Sequence, residues 1–285
     1  MGKIFDTLYN LQLTGKETRE LFSSKTRDNE NIKVWRDKLS GVIYIDEFYC
    51  GDSSYESGSY RQGKTKASLE RSDDLVRRVR SNKAFIMDKN VCDVGCGNGD
   101  FLFKIKDLSS SVSGVELEKE NIKNMCEHGI TCENDIFNFD CEFDSIFAFH
   151  SLEHFDDPLG MLKKTYSKLK IGGNIIIEVP HANDFLMKVL KLPEFIDFTL
   201  WSSHLILHTR ESLRRFLESA GYREILIKGV QRYPLSNHLH WLKEKKPGGQ
   251  KSVLSALDNE LLQQAYEDSL NRIDANDTIV ACGVK

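Results

Sequence analysis

The chain predicts an α/β fold built on a parallel-dominated sheet, with helices on both faces. Two observations carry this. From residue 90 onward, short apolar runs alternate with amphipathic helical segments, the pattern of repeated βαβ units. The first of these runs, "NVCDVG", leads into the glycine turn "GCGNGD" and then a helix, a strand–turn–helix arrangement at which ligands sit.

Taken in order, residues 1 to about 40 are polar and charge-mixed, with a helix-like segment at "TGKETRELFSSK". "GVIYID" alternates as a short strand and is followed by a Ser/Gly/Tyr-rich loop. "SLERSDDLVRRVRSN" reads as a helix with Ser68 as its N-cap. Strands then follow at "NVCDVG", "SVSGVELE", "ITCEND", "FDSIFAFH" and "NIIIEVP". Helices fall at "GDFLFKIKDLS", "KENIKNMCEHG" and "DPLGMLKKTYSKLKIGG", the last opened by Pro158 and closed by a Gly pair. "TRESLRRFLESAGY" is an amphipathic helix capped by Thr209, and "REILIKGV" and "DTIVACGV" are the final strands. This gives an N-terminal extension with a tyrosine-rich lid over 1–67 and a main domain over 68–285, interrupted at about 181–208 and 231–275.

Composition narrows the function classes. Of 285 residues, 40% are hydrophobic and 29% charged, with a net charge of −4, so no general positive field exists to hold nucleic acid. No apolar stretch approaches the roughly 20 residues that span a bilayer. Seven cysteines without a C-x-x-C pair argue against a disulfide framework or zinc ribbon. The expectation is a cytoplasmic protein acting on a small molecule.

The glycine turn discriminates among ligands. Asp93 precedes Gly95, Gly97 and Gly99, and an anionic pyrophosphate gains nothing from that acid. A ligand carrying an ammonium group does. Glu116, at the tip of the second strand beside Leu117, suits two ribose hydroxyls. Asn134 and Asp135, at the third tip before Ile136, suit an adenine amino group. Together these describe adenosine linked to an amino acid, without phosphate.

Residues from about 88 to 180 resemble the class I methyltransferases that use S-adenosyl-L-methionine. "VCDVGCGNG" is similar to their first motif, "GVELE" to their ribose acid and "NDIF" to their adenine turn. "SLEH" and "HTRESLRRFLESAGY" resemble the subgroup of ubiquinone-pathway and sugar methyltransferases. The resemblance implies a Rossmann-like sheet of seven strands with the last antiparallel. It also implies a cofactor site including Cys96, Phe149, His150 and Tyr60.

The family joins methyl and acceptor at the tip of the fourth strand, here Phe149-His150-Ser151-Leu152-Glu153-His154. The absence of an Asn/Asp-Pro-Pro-aromatic segment argues against amide or base nitrogens as acceptors. His150 is the first candidate for a base, His204 the second, and His154 stands beside them. In some relatives an E-x-x-E-H run binds a divalent ion; His150 replaces the first acid here, so no metal is expected. Tyr55, Arg232, Tyr233, His238, His240 and Trp241 are candidates for contacting the acceptor. The favoured acceptor is a sugar or nucleotide-linked sugar of surface polysaccharide synthesis. The alternatives are quinol or other aromatic O-methylation, and a non-catalytic cofactor-binding regulator.

Overall fold

The computed structural model describes residues 2–59 and 72–285. Tyr60, Ser68 and the expected boundary at 67/68 lie outside the described residues.

The chain opens with helix α1 (Lys3–Asn10), whose buried face is Ile4, Phe5 and Leu8. Strands β1 (Arg19–Ser23), β2 (Val34–Asp37) and β3 (Ile43–Ile45) follow, then helices α2 (Asp52–Glu56), α3 (Ser72–Ser81) and α4 (Lys83–Ile86). The alternating core comprises β4 (Asn90–Val94), α5 (Asp100–Ile105), β5 (Ser111–Val115), α6 (Lys119–Glu127), β6 (Thr131–Glu133), β7 (Phe143–Phe149), α7 (Pro158–Lys168) and β8 (Leu169–Pro180). Then come α8 (Pro193–Thr199), β9 (Ile206–Leu207), α9 (Arg210–Ala220), β10 (Arg223–Val230), α10 (Leu235–Glu244), α11 (Glu260–Arg272) and β11 (Thr278–Val284).

Seven strands form one sheet in the order β10-β11-β8-β7-β4-β5-β6. The pairs β4–β5, β4–β7, β5–β6 and β7–β8 are parallel, and the last strand is antiparallel. The expected fold class holds. Its central strands bury side chains on both faces, as a doubly covered parallel sheet requires: Val91, Cys92, Ile146 and Phe147 are all fully buried. Phe101 packs edge-on against Phe147 and Phe149, each at 5.0 Å.

By compactness the chain divides into two units. One gathers the residues up to Tyr49, Val179–Arg215 and Ile227–Val280; the other gathers Cys50–Glu178, Phe216–Leu226 and Ala281–Lys285. In the first unit, β1, β2, β3 and β9 make a second, four-stranded sheet, its neighbours all antiparallel. The N-terminal segment and the 181–208 insertion therefore fold together.

Two local expectations are corrected. The helix-like "TGKETRELFSSK" is strand β1, because its side chains find partners across the strand pair: Leu21 faces Trp35, and the Arg19 guanidinium lies 4.4 Å from the Trp35 ring centroid. The Gly pair does not close α7. That helix ends at Lys168, and β8 begins at Leu169, so Gly172 and Gly173 lie within a 12-residue strand.

Candidate active site

The site assembles at the carboxyl ends of β4, β5 and β7. Leaving β4, the chain turns through Gly95, Gly97 and Gly99, with φ of 76°, 57° and 81°, a region that disfavours other residues. The three glycines serve different ends. A Cβ on Gly95 would stand 2.5 Å from the Ser151 Cβ, and one on Gly99 would stand 2.7 Å from the Met125 Sδ. Those two exist for close packing. A Cβ on Gly97 would meet nothing within 4 Å among the described residues, so this bare backbone faces open space that a ligand can approach.

A Gly95→Ala change is therefore expected to destabilise the fold by a few kcal/mol through overpacking and left-handed strain. Gly97→Ala should cost only the strain, about 1–2 kcal/mol, yet weaken cofactor binding. Denaturant unfolding beside calorimetric titration separates the two outcomes.

Glu116 braces this turn. Its Oε2 accepts from the Gly97 amide at 2.7 Å, and its Oε1 accepts from the Leu117 and Glu118 amides at 2.7 and 3.0 Å. Cys96 packs behind, its Sγ 3.7 Å from the Met125 Sδ. Asp93 is buried, and its Oδ1 has no hydrogen-bond partner among the described residues. Burial pushes its carboxyl up to about 7; nearby Arg78 opposes that rise and Glu116 adds to it. A buried carboxylate oxygen with no donor among the described residues, beside an open glycine and the acid at the tip of β5, fits the ammonium, backbone and ribose of S-adenosylmethionine. When bound, that cofactor supplies an electrophilic methyl; Asp93, Gly97 and Glu116 are the groups that would hold it.

At the third tip, Ile136 is buried and Asp135 is engaged rather than open. It caps the following turn through the Phe137 amide at 2.9 Å and pairs with the Lys164 Nζ at 2.5 Å. Burial raises its carboxyl, but these contacts outweigh that and hold it below the ordinary range. Asn134 accepts from the Asn138 amide group at 2.9 Å.

On the acceptor side, His150 sits at the tip of β7 with a φ of 51°, left-handed for a non-glycine residue. Its amide donates to the Glu178 carbonyl at 2.7 Å. Its Nε2 lies 3.2 Å from the Glu178 Oε1 and its Nδ1 lies 3.3 Å from the Glu153 Oε1. Glu178 also receives Arg77 at 2.9 Å and Arg78 at 2.7 Å. Burial alone would raise Glu178, but Arg78, His150 and Arg77 hold it well below the carboxylate range. Arg78 further lies 4.5 Å from the ring centroid of Phe149. The Tyr55 hydroxyl reaches the His154 Nδ1 at 3.5 Å. Sequence reasoning missed Arg77, Arg78 and Glu178. The available signal was an acid inside the apolar run "NIIIEVP".

The remaining candidates belong to the first unit. There His204 stands edge-on to Trp201 at 5.1 Å and lines a small cavity with Tyr44 and Leu207. The Arg232 and Tyr233 amides donate to the Asp277 carboxylate at 3.1 and 3.0 Å, which fixes the turn after β10. His240 is half-buried on α10. Two expected acceptor contacts are corrected. Trp241 is 2% exposed and fills a core cluster with Leu186 and Leu192. His238 is buried against Phe185 and Tyr266, and burial lowers its imidazole to about 4. Both lie on the buried side of α10 with Ser236 and Asn237: Trp241 packs on Phe195 of the 181–208 insertion, and the His238 Nδ1 lies 2.6 Å from the Tyr266 hydroxyl, so neither presents a polar tip.

Residues 64–226 match the family of the methyltransferase domain. Among curated relatives, a tRNA U34 carboxymethyltransferase of Helicobacter acinonychis is 29% identical over 138 residues, covering 44% of this chain and 53% of its own. A ubiquinone biosynthesis O-methyltransferase of Coxiella burnetii is 27% identical over 165 residues, covering 52% and 70%. The chain spans about half or less of the length of the first tRNA-modifying relatives it matches. A solved S-adenosylmethionine-dependent methyltransferase from Archaeoglobus fulgidus shares the fold, with a TM-score of 0.52, 22% identity, and coverage of 75% of this chain and 95% of that one. Among the described residues no helix is long and apolar enough to cross a membrane. The glycine turn, the Asp93 oxygen that has no partner among the described residues and a family match over more than half of the residues agree: the chain belongs to the class I methyltransferases and uses S-adenosylmethionine.

Proposed function

We propose that the protein transfers the methyl group to a small polar acceptor, a sugar or nucleotide-linked sugar in surface polysaccharide synthesis. The observation that carries this reading is the polar lip at β7, where the Tyr55 hydroxyl meets His154 and His150 stands between two acids. Hydroxyl, imidazole and carboxylate groups match the hydroxyls of a sugar. The net charge of −4 favours a small acceptor over folded RNA. On this reading the protein acts in the cytoplasm and needs no metal.

A second reading is quinol O-methylation, favoured by the ubiquinone-pathway relative, which is matched over 70% of its length. The deciding experiment measures S-adenosylhomocysteine release against panels of nucleotide sugars, quinols and transfer RNA. Turnover with a nucleotide sugar alone supports the first reading. Turnover with quinols or RNA alone overturns it.

A further inference from the structure

We propose that His150 is not the proton-accepting base but the centre of a charged clamp, with Glu178 as the positioning residue that fixes the tip of β7. The observations are geometric. Each imidazole nitrogen lies within 3.2–3.3 Å of a carboxylate oxygen, one from Glu178 and one from Glu153. Both carboxylate side chains are 1% exposed, so no bulk water separates them from the ring. A bare ring nitrogen would turn its lone pair on a carboxylate oxygen at that distance, a repulsion that a proton on each nitrogen converts into attraction. A ring in that state has no lone pair with which to take a proton from an acceptor.

The backbone is constrained as well. His150 holds a φ of 51°, and its amide N–H donates a hydrogen bond to the Glu178 carbonyl. Strain of this kind, about 1–3 kcal/mol, persists only when the surroundings over-determine it. Here Arg77 and Arg78 of α3 anchor Glu178 from behind, and Glu178 in turn grips both the ring and the backbone of His150. A buried acid held by Arg77, Arg78 and His150 is a rigid mount. The methyl acceptor is then presented to a fixed tip, and its proton leaves by a route other than His150. The clamp is independent of which acceptor the enzyme takes, so it stands or falls apart from the sugar reading.

The test uses ring-nitrogen NMR spectra of the full-length protein with isotopically labelled histidine, at neutral pH and with S-adenosylhomocysteine bound. His150→Gln assigns the signal. The expected spectrum has a proton on both His150 nitrogens, and Glu178→Gln or Glu153→Gln removes one of them. Glu178→Gln should leave cofactor affinity within about threefold. With any acceptor found by screening, it should lower kcat by about 10²-fold with KM little changed, the mark of lost positioning. Should Glu178→Gln fail to fold, the wild-type spectrum and Glu153→Gln still decide. A bare nitrogen on His150 in the wild-type spectrum overturns the proposal and restores the ring as a base.

Discussion

Replacing Asp93 by Asn should weaken S-adenosylmethionine binding by about 10- to 100-fold, the loss of a charge-assisted contact worth about 1.5–3 kcal/mol. The carboxylate stands buried, with one oxygen lacking a partner among the described residues, so its bond to a ligand ammonium is made away from competing water. The same residue should make binding pH-dependent. Burial sets the free carboxyl near 7, so it is largely protonated at pH 6 and largely ionised at pH 8. An ammonium prefers the ionised form. Affinity should therefore rise as pH climbs through about 7, by about tenfold between those limits. Calorimetric titration across that range checks the slope, and Asp93→Asn should flatten it. A wild-type affinity that stays level, or falls with rising pH, would remove Asp93 from the cofactor site.

Glu178→Ala is expected to destabilise the fold by about 3–5 kcal/mol, since it removes the buried carboxylate that both Arg77 and Arg78 hold. Arg78 has nowhere to go: its side chain is 6% exposed and already packed on Phe149. The midpoint of urea unfolding should fall with its slope unchanged. The pH dependence has a definite sign. Glu178 in the folded state is held well below its ordinary value of 4.5. Its contribution is thus complete above that value and is lost as pH falls through the lower, folded one. The wild-type protein should shed stability on acidification below about 4.5, and the variant should lack that portion of the loss. A variant as stable as wild type would show the arginine pair to be solvated.

Much of the site was legible because its residues lie close together in the chain. Asp93, Gly95, Gly97 and Gly99 share one turn, and the acid ahead of the glycines, with Glu116 and the Asn134–Asp135 tip, pointed to an amino-acid nucleoside rather than a pyrophosphate. Glu116 was legible as the acid ending the next apolar strand. The clamp was not, because Arg77 and Glu178 stand 101 positions apart and Arg78 looks like any solvated charge on an amphipathic helix. Trp241 misled for a related reason: it lies in a stretch studded with His238, His240 and Lys243, while its neighbours in space are Leu186 and Phe195.

By itself the sequence determined the βαβ alternation and the glycine turn that follows its first strand. Periodicity and turn chemistry act within a few residues, and these features need nothing longer. Only the tertiary structure decided that "TGKETRELFSSK" becomes a strand, that the N-terminal segment shares a sheet with β9, and that His150 is gripped by two acids. Each depends on partners brought from distant parts of the chain, where burial and charge outweigh local propensity.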